Sequence, residues 1–335
     1  MSAVHLTLLI EHFSRLVAAA AGDLRYPALE RAWSRGNVLK LEAQTANHLR
    51  FRLFGIQPEG HLPVAALTHV NDRNSRPRND YFWLRADPVT MWADMARVIM
   101  TSHGFADLDP YERNEIEICV RDVLQHEGIE LCGDHPERWC IALEHPIDFG
   151  FTPLDEALGM DVAEALPGHP EARYWRRILN EVQVALHNCP VNVRRRAAGQ
   201  REINSVWFWG GGFVPEAAEH DVVDTLYSDN AVSRGLAIIN DCRTRPQAEA
   251  LDSDFAADGR AVLVDWSPGS GSAESELALL ENLVGNMLDM ADRKRLVLTI
   301  YEGSGNGRCY GPRARRRFWQ RRIPLPQALG AAPVP

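Results

Sequence analysis

The apolar positions of this chain fall into short continuous runs separated by stretches of helical period, the alternation of an α/β protein. Val4 to Ile10 is a compact run of Leu, Ile and Val that predicts a buried strand. Phe13, Leu16 and Val17 recur at helical spacing and start a helix, and Tyr26 to Trp33 predicts a second, with Pro27 near its start and Gly36 ending it. Pro58 to Asp80 holds prolines and Asn/Asp clusters with little periodicity, which predicts a surface loop and a domain boundary. After it come strand-like aromatics from Tyr81, then Asp87-Pro88-Val89, and an apolar segment from Met95 to Met100. Tyr111 to His126 places Ile116, Val120, Val123 and Leu124 on one helical face, with Asp109-Pro110 as a start signal and Gly128 as a stop. Arg138 to Leu143 predicts a strand, and Tyr174 to His187 an amphipathic helix.

Ile203 to Trp209, closed by Gly210-Gly211-Gly212, predicts a hydrophobic strand ending in a glycine turn. Ala231 to Ile239, Ala261 to Val264 and Leu296 to Tyr301 are further apolar runs, and Glu274 to Asp292 between the last two is a strong helix. Strand, helix, strand implies parallel pairing. The expected fold is therefore α/β, with Val4 to Ile10, Asn204 to Trp209, Ala261 to Val264 and Leu296 to Tyr301 in one mainly parallel sheet with helices on both faces. The expected organisation is a core of residues 1–80 plus 201–325, an inserted α/β subdomain at 81–200, and a flexible tail at 326–335.

Composition narrows the function. With 335 residues, 45% hydrophobic and 24% charged, the chain is globular in composition and long enough for a large core. Its 45 acidic against 36 basic residues give a net charge of −9, which argues against a general nucleic-acid or anionic-membrane binder. No apolar run approaches the ~20 residues of a membrane span. Glu11, His12 and Arg15 interrupt the first apolar segment, and no basic region precedes it, so the expected location is cytoplasmic. Six cysteines without a CxxC pair read as reduced, mostly buried thiols.

Three features carry possible chemistry. Trp207 to Gly212 can cradle an anionic or planar ligand at a strand end or simply be a core strand with a tight turn; without a following lysine and hydroxyl it is not a P-loop. Arg194-Arg195-Arg196 can clamp a phosphate or carboxylate or be a solvated run. Arg308, Arg313, Arg315, Arg316, Arg317, Arg321 and Arg322, interleaved with Tyr310, Phe318 and Trp319, suit an acidic protein partner or a second copy of the chain better than nucleic acid, with a solvated arm as the alternative. His12, His103, His126, His135 and His145 are too scattered for a metal site, and His187 and Cys189 are poorly placed as a nucleophile pair.

Asn180-Glu181-Val182-Gln183, His187 to Asn192, Arg194 to Gly199 and Ile203 to Gly212 together resemble the bacterial RpfE-type regulatory proteins, a family often labelled as phosphoglycerate mutase. The same residues are similar, more patchily, to the cofactor-independent phosphoglycerate mutases of the alkaline phosphatase superfamily, and Tyr26 to Arg31 adds a weaker likeness. The resemblance implies an alkaline-phosphatase-like core. It also implies two divalent metals and a serine nucleophile in an active mutase, and here the ligand set falls short. Glu11-His12 stands where the mutases carry Asp-Gly, Asp265 to Gly269 lacks the family's histidine, Tyr301-Glu302-Gly303 replaces Asp-His, and no histidine follows His220. The expectation is accordingly a non-catalytic regulatory or interaction module, with no metal, no cofactor and no assigned catalytic residue. Candidates for a small anion in a remnant cleft are Glu11, His12, Asp87, His187, Asn192, Arg194, Asn204, Trp207, Trp209, Gly210 and Gly212. The alternative is an active metal-dependent mutase or phosphatase-type hydrolase.

Overall fold

The computed structural model describes residues 4–329 apart from 21–24, 44, 58–59, 77–80, 95–96, 105–107, 136, 167, 220–221, 294–295, 312–313, 315 and 318. The expected tail at 326–335 lies largely outside the described residues; 325–329 form a short helix. In chain order the elements are β1 (Val4–Ile10), α1 (Phe13–Ala19), α2 (Pro27–Arg35), β2 (Asn37–Lys40), α3 (Ala46–Leu53), α4 (Val64–Arg73), β3 (Phe82–Ala93), β4 (Val98–His103) and α5 (Pro110–His126). There follow β5 (Glu130–His135), β6 (Arg138–Leu143), α6 (Leu154–Ala157), α7 (Val162–Ala165), α8 (Ala172–Asn188), α9 (Pro190–Ala197) and β7 (Ser205–Gly212). The last are β8 (Thr225–Tyr227), α10 (Ala231–Ile239), β9 (Arg243–Arg245), β10 (Ala261–Trp266), α11 (Ala273–Asp292), β11 (Leu296–Glu302), β12 (Asn306–Tyr310) and α12 (Leu325–Leu329).

Two compact units emerge, residues 1–57 with 216–335 and residues 58–215. The first is built on a seven-stranded sheet ordered β2-β12-β11-β1-β10-β8-β9. Its five strands from β11 to β9 run parallel, as the strand–helix–strand pattern predicts, and β12 and β2 add an antiparallel edge. β1 pairs with β10 and β11 on its two sides and is buried nearly throughout, which suits its continuous apolar run. The core of this unit joins Leu6, Leu8 and Ile10 of β1 to Leu280, Leu283, Val284 and Met287 of α11 and to Leu29 and Trp33 of α2. Pro27 opens α2, and the Glu281 carboxylate accepts from the Ala28 and Leu29 amides at 2.7 and 3.1 Å, so α11 caps the helix that packs on it.

The second unit is a five-stranded antiparallel sheet, β4-β3-β6-β5 with β7 on the free side of β3. Here the structure corrects the sequence reading. The strand at Asn204 to Trp209 does not join the parallel sheet: Trp207, Phe208 and Trp209 of β7 pair antiparallel with Asp87, Ala86 and Arg85 of β3. The boundaries move accordingly to 57/58 and 215/216 from the expected 80/81 and 200/201. The expected loop from Pro58 to Asp80 contains α4, whose Val64 to Val70 are all buried; an all-buried helix lacks the polar face that makes a helix legible as periodic. Ala231 to Ile239, met as an apolar run, is helical, with Asn230 capping it through the Val232 and Ser233 amides. Asp109 and Glu112 form a reciprocal capping box at the start of α5, as its start signal predicts.

Candidate functional site

At the carboxyl ends of β1 and β10, two acidic side chains come together. Leu9 is the register partner of Asp265, and period two puts Glu11, two residues on, on the same face of the sheet. That face is covered by α3: Leu9 packs with Leu49 and Tyr301, and Arg50 reaches in beside them. Nε of Arg50 donates to Asp265 Oδ2 at 2.9 Å, Nη2 to Asp265 Oδ1 at 3.2 Å and to Glu11 Oε2 at 2.9 Å, and Nη1 to Glu11 Oε1 at 3.1 Å and Asn47 Oδ1 at 2.9 Å. All five N–H donors of the guanidinium are thereby used. Arg50 and Asp265 are 1% and 0% exposed at their side chains.

Hydroxyls add further bonds to one oxygen of each carboxylate. Ser267 donates to Glu11 Oε2 at 2.9 Å, while Ser228, at 3.4 Å, and Ser233 donate to Asp265 Oδ2. Burial would raise the Glu11 carboxyl, but Arg50, then Ser267 and His12, outweigh it and hold the acid below its ordinary value. Arg50 is likewise pressed toward neutrality by burial and driven the other way by Asp265 and Glu11, so it stays a fixed cation. Glu302, at the end of β11, does not enter this network: it accepts from Ser14, Ser304 and Asn306 at 2.7, 2.7 and 2.6 Å. His12 is exposed, with left-handed backbone at the start of α1.

These residues do not fit a pair of divalent metals. The cation position between Glu11 and Asp265 is filled by a guanidinium that would repel a second positive charge, and the oxygens are already bonded. Among the described residues no group of three or more His, Cys, Asp or Glu side chains is arranged to hold a metal ion. Arg50 and Asn47 belong to no motif legible in the sequence. The available signal was an arginine between Leu49 and Phe51, three residues after an asparagine on a short helix.

The other candidates lie in the second unit. Asp87 is buried and bridges Arg85 and Trp209, accepting from Arg85 Nε at 3.0 Å and Trp209 Nε1 at 2.6 Å, and Arg85 Nη1 reaches Thr68 of α4 at 3.1 Å. Trp207 donates to the Thr152 carbonyl at 2.9 Å. Asn192, fully buried, donates to the Leu186 and Ile203 carbonyls and accepts from the Ile203 amide at 3.2 Å, stitching α8, α9 and the entry to β7. Asn204 pairs with both backbone groups of Met91, each at 2.7 Å. His187 is exposed and meets Arg196 at 2.9 Å; Arg194 is exposed, and the buried member of the arginine run is Arg195, held by the Arg201 carbonyl and Glu112.

The glycines after Trp209 serve close packing. A Cβ on Gly212 would stand 2.6 Å from Pro63 Cβ, one on Gly211 2.8 Å from the Phe82 ring, and Gly210 has φ of 64° against the start of α4. The arginine-rich end is divided in the same way. Arg308 donates to the Trp33 carbonyl at 3.0 Å and lies over its ring, and Arg317 holds the Arg35 carbonyl and Asn37. Arg316, Arg321 and Arg322 are exposed, and Arg313 and Arg315 lie outside the described residues.

No family model matches the chain. It is 34% identical over 65 residues to the 2,3-bisphosphoglycerate-independent phosphoglycerate mutase of Methanosarcina barkeri, covering 19% of this chain and 16% of that protein. It is 24% identical over 176 residues to mutase 2 of Methanothermobacter thermautotrophicus, covering 44% of each. The matches thus span less than half the length of these curated relatives. Among solved structures, the PH0037 protein of Pyrococcus horikoshii is similar with a TM-score of 0.53 at 14% identity, over 94% of this chain and 93% of that one. The cofactor-independent phosphoglycerate mutase of Thermoplasma acidophilum aligns over 93% of this chain and 90% of that one, with a TM-score of 0.45 and 13% identity. Parts of the chain are thus similar in sequence to 2,3-bisphosphoglycerate-independent phosphoglycerate mutases, and nearly its whole length shares the α/β fold of the PH0037 protein. Among the described residues no helix is long and apolar enough to cross a membrane.

Proposed function

We propose that this chain is a non-catalytic relative of the phosphoglycerate mutases, acting as a cytoplasmic regulatory or protein-interaction module. The observation that carries this reading is Arg50, whose guanidinium takes the place between Glu11 and Asp265 and spends all its donors there. Metal-assisted phosphoryl transfer needs carboxylates and imidazoles free to bind cations. An internal arginine neutralises the same acids permanently without offering a Lewis acid or an open ligand position. The resemblance to the RpfE-type regulatory proteins is the finer form of the same reading. Exposed Arg316, Arg321 and Arg322, on a chain of net charge −9, supply a contact for an acidic protein surface or a second copy. The ligand class that suits the remnant cleft is a small anion.

The test is metal content together with turnover. Purified protein incubated with Mn²⁺ and passed over a desalting column is expected to carry no stoichiometric metal and to leave 3-phosphoglycerate unchanged. A stoichiometric pair of metals, lost on Glu11→Ala together with mutase or phosphatase turnover, would establish the active alternative instead.

A further inference from the structure

α4 covers a row of side chains that crosses three strands of the antiparallel sheet. The register sets Arg85 of β3 opposite Cys140 of β6, and Cys140 opposite Cys132 of β5, so all three project from one face. The neighbouring pair, Leu131 and Ile141, projects from the other face into the apolar cluster of the unit. On the α4 side, Cys140 Sγ lies 3.4 Å from His69 Nδ1, and the His69 ring stacks on Trp83 at 3.9 Å. Cys140 and His69 are each 4% exposed, whereas Cys132 is half-buried.

Directly opposed residues of an antiparallel pair have Cα atoms about 4.5–5.5 Å apart, inside the window of roughly 4.4–6.8 Å that a disulfide requires. Two cysteines in that relation need side-chain rotation rather than backbone movement to bond. Among the described residues no other strand pair sets two cysteines opposite each other. We infer that Cys132 and Cys140 form a dithiol modification site, oxidised by a low-molecular-weight disulfide to a cross-strand disulfide, with His69 as the proton acceptor for Cys140.

The more accessible Cys132, as thiolate, attacks one sulfur of the disulfide, forming a mixed disulfide and expelling one thiolate. Cys140 then passes its proton to His69 Nδ1, with the imidazole in the tautomer protonated at Nε2, and its thiolate attacks Cys132 Sγ. The Cys132–Cys140 bond forms as the second thiolate leaves. The protein loses two electrons and two protons, and the small disulfide is reduced to two thiols. Cys119 is a poorer entry point, because burial and its neighbour Cys189 push its thiol up to about 12 and leave little thiolate at neutral pH. The dithiol pair is the same whether or not the chain is catalytic.

The full-length protein is incubated with glutathione disulfide, quenched with acid, digested without reductant and mapped by mass spectrometry. In the unsubstituted chain the linked Cys132–Cys140 peptide is expected before modification of any other cysteine. Cys140→Ser is expected to stop with a glutathione adduct on Cys132. His69→Gln is expected to accumulate the same adduct and to close the disulfide at least about tenfold more slowly. Cys132 and Cys140 remaining reduced while Cys119, Cys242 or Cys309 is modified would overturn the proposal. So would closure in His69→Gln at the unsubstituted rate, for the role given to His69. The peptide map of the unsubstituted chain decides the pairing even where a variant does not fold.

Discussion

Arg50 and Asp265 face each other through two hydrogen bonds, Nε to Oδ2 at 2.9 Å and Nη2 to Oδ1 at 3.2 Å, across a sequence separation of 215 residues. A fork-to-fork pair of this kind fixes angle as well as distance. It ties α3 to the end of β10, and through the second fork to Glu11 it ties both to β1. Removing the arginine would leave two acids facing one another in a buried place.

Arg50→Ala should therefore destabilise the first unit by about 3–5 kcal/mol, the usual cost of stranding a buried charge. Arg50→Lys keeps the charge but loses the fork, and should recover only part of that loss. Denaturant unfolding of the two variants side by side checks the order. Equal stability of Arg50→Lys and the unsubstituted protein would show that charge alone, without geometry, holds the site.

The same network has an acid limb. Because the Glu11 carboxyl sits below its ordinary value of 4.5 when folded, its ionised form adds stability above that value, and the contribution disappears as pH falls through the lower folded value. Glu11→Gln should flatten the loss of stability between about pH 5 and the acid unfolding region while lowering stability at neutral pH. Melting temperatures measured across that range decide it. An unchanged acid slope would remove Glu11 from the account.

Gly212→Ala puts a Cβ 2.6 Å from Pro63 Cβ, where backbone leaves little room to give. The expected cost is about 1–3 kcal/mol from overpacking in the second unit. Gly168→Ala, where nothing lies within 4 Å of the added atom, should cost far less, and chemical denaturation of both variants makes the comparison.

For the arginine-rich end, Arg316, Arg321 and Arg322 replaced together by Ala should leave the melting temperature nearly unchanged and reduce salt-sensitive association. Arg308→Ala should instead lower stability, because it removes a bond to the Trp33 carbonyl and a contact with its ring. Sedimentation at two salt concentrations and thermal melts separate the roles. Salt-independent association in the triple variant, equal to that of the unsubstituted chain, would dismiss the surface as an interface.

The sequence by itself determined the parallel core. Val4 to Ile10, Ala261 to Val264 and Leu296 to Tyr301 are short apolar runs, and the long helix between the last two leaves a parallel crossover as the economical connection. It also showed what the acidic strand ends lack, since the shortage of histidines after His220 is a matter of residue type alone. Only the tertiary structure decided the sheet to which Trp207 belongs, because a strand buried on both faces reads the same beside parallel or antiparallel neighbours. It alone exposed α4, whose buried first two turns erase periodicity, and it alone showed what Asn192, Asn204 and Gly212 touch: the Ile203 and Met91 backbone and the Pro63 ring. Arg50 was beyond local pattern for the same reason: a lone arginine on a short helix becomes a buried cation only when strand register brings Glu11 and Asp265 to one face and α3 closes over them.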